Sequence, residues 1–280
     1  MAVALGVLVA LSWGSADFLG GFTSQRLHTV TVLLVSQTFG LGAAVLLVLA
    51  LRDAAPDAHV FVLSAIAGVV GVMALWLLFR GLAVGRMSVV APLSAVGSGV
   101  LPVAWGLLHG ERPTALALVG VTLALIAVAI IGRGAEHDPV PSVSPVQELA
   151  LGIGSGIGFG IVLILFSESA TDSGMWPLLI ARGAAVPLLA VVAFALGRST
   201  RVPSAALPPV AGAGLFDVGA NAMVLLAVRR GLLSLVAPVA ALYPATTVVL
   251  ARLILHERIG RQRAGGLALG LVGLALIATR

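Results

Sequence analysis

The sequence predicts an all-α membrane protein with ten transmembrane helices, arranged as two inverted repeats of five helices each. Two observations carry this prediction. The chain is 60% hydrophobic and only 10% charged, whereas soluble domains are about 25% charged. Apolar stretches of about 20 residues, the length that crosses a hydrocarbon core of about 30 Å, recur from one end of the chain to the other. A soluble helical protein would need polar helix faces, which these stretches lack.

The predicted spans follow one another with short loops between them. In chain order they are residues 2–22, 30–51, 59–80, 87–109, 114–132, 148–168, 175–197, 207–228, 234–255 and 263–279. No segment between them is long enough to form a soluble domain. The first span has no basic segment before it, so we expect it to be retained in the membrane and not cleaved as a signal peptide.

The two halves of the chain resemble each other. A shift of 146 positions aligns Val90-Ala91-Pro92 with Val236-Ala237-Pro238, and it aligns Glu111-Arg112 with Glu257-Arg258. Matches at one common offset indicate an internal duplication. Because each half holds five predicted spans, an odd number, the second half enters the membrane in the opposite sense. Alternating access follows from inverted repeats of this kind, since two related bundles can rock about a site between them.

A polar segment with three prolines, from Gly132 to Pro145, lies close to the midpoint of the chain. Such a segment is unlike the apolar runs on either side of it. We therefore predict a first five-helix repeat over residues 1–132, a linker over residues 133–146, and a second five-helix repeat over residues 147–280.

Carboxylates inside the predicted spans mark the expected binding site. Asp217 lies near the middle of its span with Asn221 one helical turn later, and Asp17 follows Trp13 by one turn in the first span. An ionised carboxylate at the bilayer centre costs on the order of 3 kcal/mol, so it must face a partner or a water-filled cavity. Asp217 with Asn221 either binds a substrate cation or exchanges a coupling proton, or else forms a structural ion pair with an arginine. For Asp17, a role in the site and snorkelling toward solvent are equally open.

Other polar and aromatic residues in the spans are candidates for the same site. Arg182, in the seventh span, stays charged and either binds a substrate carboxylate or neutralises Asp217. Trp13, Trp76 and Tyr243 are the aromatic candidates for a cavity wall, where they could surround a cation.

Four prolines are predicted to interrupt the fourth and ninth spans and to act as hinges or as breaks that line the site. They are Pro92, Pro102, Pro238 and Pro244. The alternative for each is a tolerated kink without a role in transport. The two Glu-Arg pairs, at positions 111–112 and 257–258, are best explained as turn and capping groups at the start of the fifth and tenth spans.

Several motifs occur together. They are Trp13-Gly14 in the first span, a proline in the fourth span of each half, and Gly110-Glu111-Arg112 and His256-Glu257-Arg258 before the last span of each half. In this combination the chain resembles the EamA family of the drug/metabolite transporter superfamily. The resemblance covers both halves. It implies ten helices around a central cavity and the carriage of small metabolites, often amino acids or related compounds, usually outward. The place of Asp17 in the first helix is similar to that of the essential acidic residue in small multidrug-resistance relatives.

Composition and motifs argue against several other functions. The net charge of +5 comes from arginines scattered through short loops, where they serve orientation and lipid headgroups, so we expect no nucleic-acid partner. The chain has no HExxH, no nucleophile elbow and no P-loop, and we therefore expect no enzyme, metal site or cofactor. Without a nucleotide-binding motif, transport must be driven by a gradient.

We therefore expect a secondary active transporter that exports small metabolites such as amino acids by alternating access. Its partners are a small-molecule substrate and the lipid bilayer, with protons as the candidate coupling ion. A transporter of cationic drugs or quaternary ammonium compounds is the first alternative, and a channel or an intramembrane enzyme is less favoured. We expect the bacterial inner membrane as its location. The distribution of arginines places the termini outside, but the resemblance implies cytoplasmic termini, and we follow the resemblance.

Overall fold

A computed structural model of the chain describes residues 2–85, 87–132, 143–169, 173–229, 233–254 and 260–278. The described residues form eleven α-helices: α1 (Ala2–Ser24), α2 (Thr29–Leu51), α3 (Ala58–Val84), α4 (Met87–Leu108), α5 (Ala115–Gly132), α6 (Pro145–Glu168), α7 (Trp176–Ala195), α8 (Leu207–Val228), α9 (Leu233–Ala240), α10 (Tyr243–Ile254) and α11 (Arg261–Ala278). A short 3₁₀ turn, Ser204–Ala206, precedes α8. Most of the predicted linker, and Glu257 with Arg258, lie outside the described residues.

The helices follow the predicted spans closely, and the all-α prediction is confirmed for the described residues. Six helices, α1, α2, α3, α6, α7 and α8, are long and apolar enough to cross a bilayer on their own. The remaining spans contain shorter apolar helical segments: Leu93–Leu108, Ala115–Ile130, Leu233–Thr246 (which runs across the break between α9 and α10) and Ala264–Ile277. Large apolar side chains cover the outside of the bundle, with Leu46 69% and Phe194 89% exposed. An apolar surface of this extent is suited to lipid.

Equivalent helices of the two halves pack in equivalent ways. Helix α6 of the second half packs along α3 and α4, and α1 packs along α8, α9 and α10. A methyl group on Gly152 would lie 3.2 Å from the carbonyl oxygen of Val90, and one on Gly6 would lie 3.7 Å from that of Val236. Both members of the second contact are offset by 146 residues from those of the first. The duplication in the sequence is therefore also a duplication of packing.

Two close contacts between helices, one at Gly68 and one at Gly214, form a second pair related by the duplication. A methyl group on Gly68 of α3 would lie 2.1 Å from the carbonyl oxygen of Ala181 on α7, and one on Gly214 of α8 would lie 1.9 Å from that of Ser36 on α2. Glycine is required at both positions, because the two backbones already touch there. These two crossings flank the centre of the bundle and hold the halves together.

The ninth predicted span is divided, and the fourth is not. Helix α9 ends at Ala240 and α10 begins at Tyr243, with Pro244 as its second residue. A proline lacks an N–H and so suits the first turn of a helix but not its continuation. The prediction that prolines interrupt both spans is wrong for the fourth, since α4 continues through Pro92 and Pro102.

The difference between these two spans has a local cause. The position in α4 that corresponds to Pro244 is Ser98, whose backbone N–H is available to continue the helix. Its hydroxyl donates to the carbonyl oxygen of Ala95 at 3.0 Å within the same helix. Pro238 lies inside α9 without ending it, so the break belongs to Pro244 alone.

Glu111 caps a helix of the other half, and not the fifth span as predicted. Its two carboxylate oxygens accept hydrogen bonds from the backbone N–H groups of Leu233 and Ser234, each at 2.8 Å. These groups form the first turn of α9, where backbone donors have no partner within the helix. A carboxylate also interacts favourably with the positive end of the helix dipole. Glu111 therefore joins the first repeat to the second.

Replacing Glu111 with alanine should lower the free energy of unfolding by about 1–3 kcal/mol, because two backbone donors at the start of α9 lose their acceptor. Thermal unfolding of the purified protein in detergent measures the change. Glu111→Gln keeps one acceptor oxygen and should fall between the alanine variant and the unsubstituted protein. An alanine variant as stable as the unsubstituted protein would show that water replaces the cap at no cost.

Candidate functional site

A cavity lies between the two halves at the centre of the bundle. Helices α1, α3, α4, α6, α7 and α8 line it, together with Tyr243 at the start of α10. It encloses about 730 Å³ of space between atoms, including the part open to solvent. Its lining comes from the last part of α6, including Phe166, and the first part of α7, including Leu178. The cavity therefore extends toward the end of the bundle where α6 is joined to α7.

Three interhelical segments meet at that end of the bundle. A carboxylate oxygen of Asp53, between α2 and α3, accepts a hydrogen bond from the backbone N–H of Met175 at 2.7 Å, just before α7 begins. Arg229, after α8, donates to the carbonyl oxygen of Gly174 at 2.7 Å. At the opposite end, Thr31 near the start of α2 donates to the carbonyl oxygen of Ser199 at 2.7 Å. Loops related by the duplication thus meet at opposite ends of the bundle through different hydrogen bonds.

Asp217 is held by a network of hydrogen bonds on the cavity wall. Arg182 donates to its Oδ2 at 2.8 Å, and Gln37 donates to the same oxygen at 3.2 Å. Asn221, one turn later, donates to Oδ1 at 3.0 Å. Arg182 also donates to the side-chain oxygen of Gln37. The geometry of Asp217 is thus that of a satisfied ion pair, the structural alternative for this residue, although Asp217 and Arg182 both face the cavity.

Asp17 lines the same cavity from α1. Within the described part of the chain, its carboxylate has no hydrogen bond and no ion pair. The same cavity holds Asp217, whose carboxylate would repel a negative charge on Asp17. Asp17 does not snorkel away to solvent, since it lies at the centre of the bundle. It is therefore the carboxyl group of the cavity that has no counter-ion among the described residues.

Aromatic side chains form much of the wall. Trp13 and Tyr243 both line the cavity and meet edge to face, with their ring centroids 6.5 Å apart. Phe159 and Phe166 of α6 lie in the wall as well, and sequence reasoning missed both. One signal could have found Phe159, because it corresponds to Trp13 at the offset of 146.

Trp76 does not line the cavity, which corrects its prediction as a wall residue. Its side chain is 41% exposed on the outside of α3. Val69 and Met73 lie two turns and one turn before it on the same face and are 38% and 59% exposed. The cavity face of α3 is instead formed by small and aliphatic residues such as Gly71 and Leu75. Helix α3 is apolar on all sides, so its sequence does not reveal which face turns inward.

The two repeats contribute different chemistry from equivalent positions. Asp17 corresponds to Leu163, and Asp217 corresponds to Gly71, at the offset of 146 residues; all four line the cavity. Each carboxylate therefore occurs in one repeat only. Among the described residues, no group of three His, Cys, Asp or Glu side chains is placed to hold a metal ion.

Comparison with known proteins agrees with this arrangement. The model of the EamA-like transporter family matches residues 1–133 and again residues 147–279. The chain belongs to the EamA-like transporter family. The two matches begin 146 residues apart, which is the offset of the duplication, and they confirm the two-repeat organisation. An EamA-type chain with this many apolar helices is an integral membrane protein.

Structural comparison shows the same fold elsewhere. One crystal structure superposes on this EamA protein with a TM-score of 0.77, covering 99% of this chain and 96% of that chain. The two sequences are 18% identical, so the likeness concerns the fold alone. No curated protein matches the sequence significantly.

Proposed function

We propose that this EamA protein is a secondary active transporter that moves small organic metabolites outward through the inner membrane of a bacterium. Its ten spans form two inverted repeats, and alternating access exposes the central cavity to each side in turn. One observation carries the proposal: a cavity with ionisable walls lies between two halves that pack in equivalent ways. Sites at the interface of repeated bundles are typical of transporters that rock about a central site.

The two helix crossings at Gly214 and Gly68 offer a way for the cavity to open to one side of the membrane and then to the other. The cavity extends toward the end where α6 meets α7, and the contact of Gly214 with Ser36 closes the bundle on the other side of Asp217. The contact of Gly68 with Ala181 is its counterpart in the other repeat. If α2 and α8 separate at their crossing, the cavity gains an opening at the opposite end. Two similar packings of one bundle differ little in energy, as this exchange requires.

In this proposal Asp17, and not Asp217, is the residue that couples substrate or proton binding to transport. Asp217 is neutralised by Arg182 and bonded by Gln37 and Asn221, so an additional proton or substrate cation would have to displace a good partner. Asp17 has no such partner among the described residues. Its charge is therefore the one that a substrate or a proton changes during the cycle.

Transport by reconstituted protein tests the proposal. A thermal-shift screen against amino acids, amines, quaternary ammonium compounds and nucleosides selects a substrate, and proteoliposomes then report its uptake. We expect saturable uptake and counterflow, in which unlabelled substrate inside accelerates the entry of labelled substrate. In Asp17→Asn, gradient-driven accumulation should fall by about tenfold or more, the loss for one charge-assisted contact.

The control for this experiment is Asp57→Asn. It makes the same charge change at the N-cap of α3, where the Asp57 side chain accepts from the backbone N–H of Val60. Asparagine caps about as well as aspartate, so this variant should transport normally. Flux without saturation and without counterflow would identify a channel and reject the carrier.

A further inference from the structure

We propose that the substrate is an organic monocation, an amine or ammonium with an apolar body, and that Asp17 is its counter-ion. The inference rests on the proposed function and names the class of compound that the cavity selects. It follows from three features of the wall: its charge, its aromatic groups, and the difference between the repeats.

The charge of the cavity favours a cation. Its described lining contains three ionisable side chains, Asp17, Arg182 and Asp217. Arg182 and Asp217 form an ion pair at 2.8 Å and cancel, which leaves Asp17 as the ionisable side chain without a partner. Ionising a carboxyl group in a low-dielectric site is costly, and a ligand of opposite charge removes that cost. A monocation brings the cavity to neutrality.

A zwitterion or an anion fits less well. The carboxylate of an amino acid would need its own partner, and Arg182 is the one arginine of the described lining. Both terminal nitrogens of its guanidinium already donate, to Gln37 and to Asp217. A substrate carboxylate could accept only from the remaining N–H groups, Nε among them, beside the Asp217 carboxylate that already neutralises Arg182. The cavity therefore discriminates against negative groups.

The number of carboxylates limits the substrate to one positive charge. The second repeat places Leu163 where the first has Asp17, so no second free carboxylate faces the opposite wall of the described cavity. A diamine would leave one ammonium against aliphatic and aromatic side chains. A compound with one ammonium and an apolar body satisfies both parts of the wall.

Aromatic rings lie where such a cation would bind. Trp13 is one turn before Asp17 on α1, and Tyr243 meets Trp13 edge to face. Indole and phenol rings attract a cation over their faces. Phe159 and Phe166 on α6 continue the wall and can contact an apolar body. The ammonium is thus placed next to Asp17, and the body of the molecule lies against α6.

Four probes that share a phenyl ring and differ in charge test this inference: phenethylamine as the cation, phenylalanine as the zwitterion, 3-phenylpropionate as the anion, and 2-phenylethanol as the neutral compound. Binding to the purified full-length protein is measured by scintillation proximity with radiolabelled phenethylamine and by competition with the other three. We expect phenethylamine to bind about 10- to 100-fold more tightly than the other probes, the range for one charged hydrogen bond.

Two variants of Asp17 and one control complete the test. Asp17→Asn should weaken phenethylamine binding by about 10- to 100-fold, whereas Asp17→Glu keeps the charge and should lose much less. Asp57→Asn should bind as the unsubstituted protein does. Asp17→Asn loses no described hydrogen bond or ion pair, so without ligand it should melt no lower than the unsubstituted protein. A normal melting temperature would show that loss of binding in this variant does not come from loss of folding.

The outcomes separate this inference from the proposed function. Tighter binding of phenylalanine or 3-phenylpropionate than of phenethylamine would overturn the monocation, while counterflow of the preferred compound would still support a carrier. Failure of phenethylamine to bind, or equal binding in Asp17→Asn, would also overturn it. Phenethylamine binding that depends on Asp17, but without counterflow, would support the cation site and reject the carrier.

Discussion

Arg182→Leu should lower the free energy of unfolding by about 3–5 kcal/mol, the cost of removing one partner of a buried ion pair. The Arg182 and Asp217 side chains are only 11% and 13% exposed, so water does not replace the lost guanidinium. Asp217 would keep its hydrogen bonds from Gln37 and Asn221 but lose its counter-ion. Chemical or thermal unfolding in detergent measures the effect.

The double variant Arg182→Leu/Asp217→Leu identifies the cause. It removes both charges together, and replacing a buried ion pair with apolar residues is often neutral. We expect the double variant to recover most of the stability that Arg182→Leu loses. Arg201→Leu, a change of the same kind at an exposed loop position, should have little effect. Losses that simply add in the double variant would show that the pair does not act as a unit.

Gly214→Ala should destabilise the protein by about 1–3 kcal/mol or more, the range for overpacking a tight interface. The new methyl group would lie 1.9 Å from the backbone oxygen of Ser36. Rotation of a side chain cannot relieve a clash with a backbone atom, so α2 and α8 must separate. Gly68→Ala, which meets Ala181 at 2.1 Å, should have a similar effect in the other repeat.

A glycine on the same helix provides the control. A methyl group on Gly219 would meet nothing within 4 Å, so Gly219→Ala should gain up to about 1 kcal/mol from helix propensity. The same substitution, five residues apart on α8, is thus expected to change stability in opposite directions. Thermal unfolding in detergent compares the three variants. Equal effects at Gly214 and Gly219 would mean that the crossing of α2 and α8 is not tight.

The helices could be predicted from the sequence because a bilayer imposes length and hydropathy on every span. The division of the ninth span was harder to predict. Both the fourth and the ninth spans carry prolines, and only Pro244 divides its span. Pro92, Pro102 and Pro238 lie inside continuous helices, so a proline within a span does not by itself predict a break. Six helices span by length and hydropathy, and the total of ten stays a prediction.

The polar residues of the candidate site could be predicted from the sequence, because polar side chains are rare inside apolar spans. Asp17, Asp217, Asn221 and Arg182 stand out inside apolar spans, and the structure places all four at one cavity. Their roles in transport remain proposals. Tyr243 and Trp13 reach the same wall, whereas Trp76 turns outward, because an aromatic residue in an all-apolar helix is suited to either face. Gln37 is a neutral residue, and only its neighbours in space show that it bonds both members of the ion pair.

The cap that Glu111 provides has a consequence for how the protein is made. Its partners, the first backbone groups of α9, lie more than a hundred residues later in the chain, and the ribosome delivers the N-terminal half first. During synthesis the Glu111 carboxylate therefore lacks these two hydrogen-bond donors until α9 has been translated. The first repeat therefore cannot form all of its native hydrogen bonds by itself, and it completes them only when nearly the whole polypeptide has been translated.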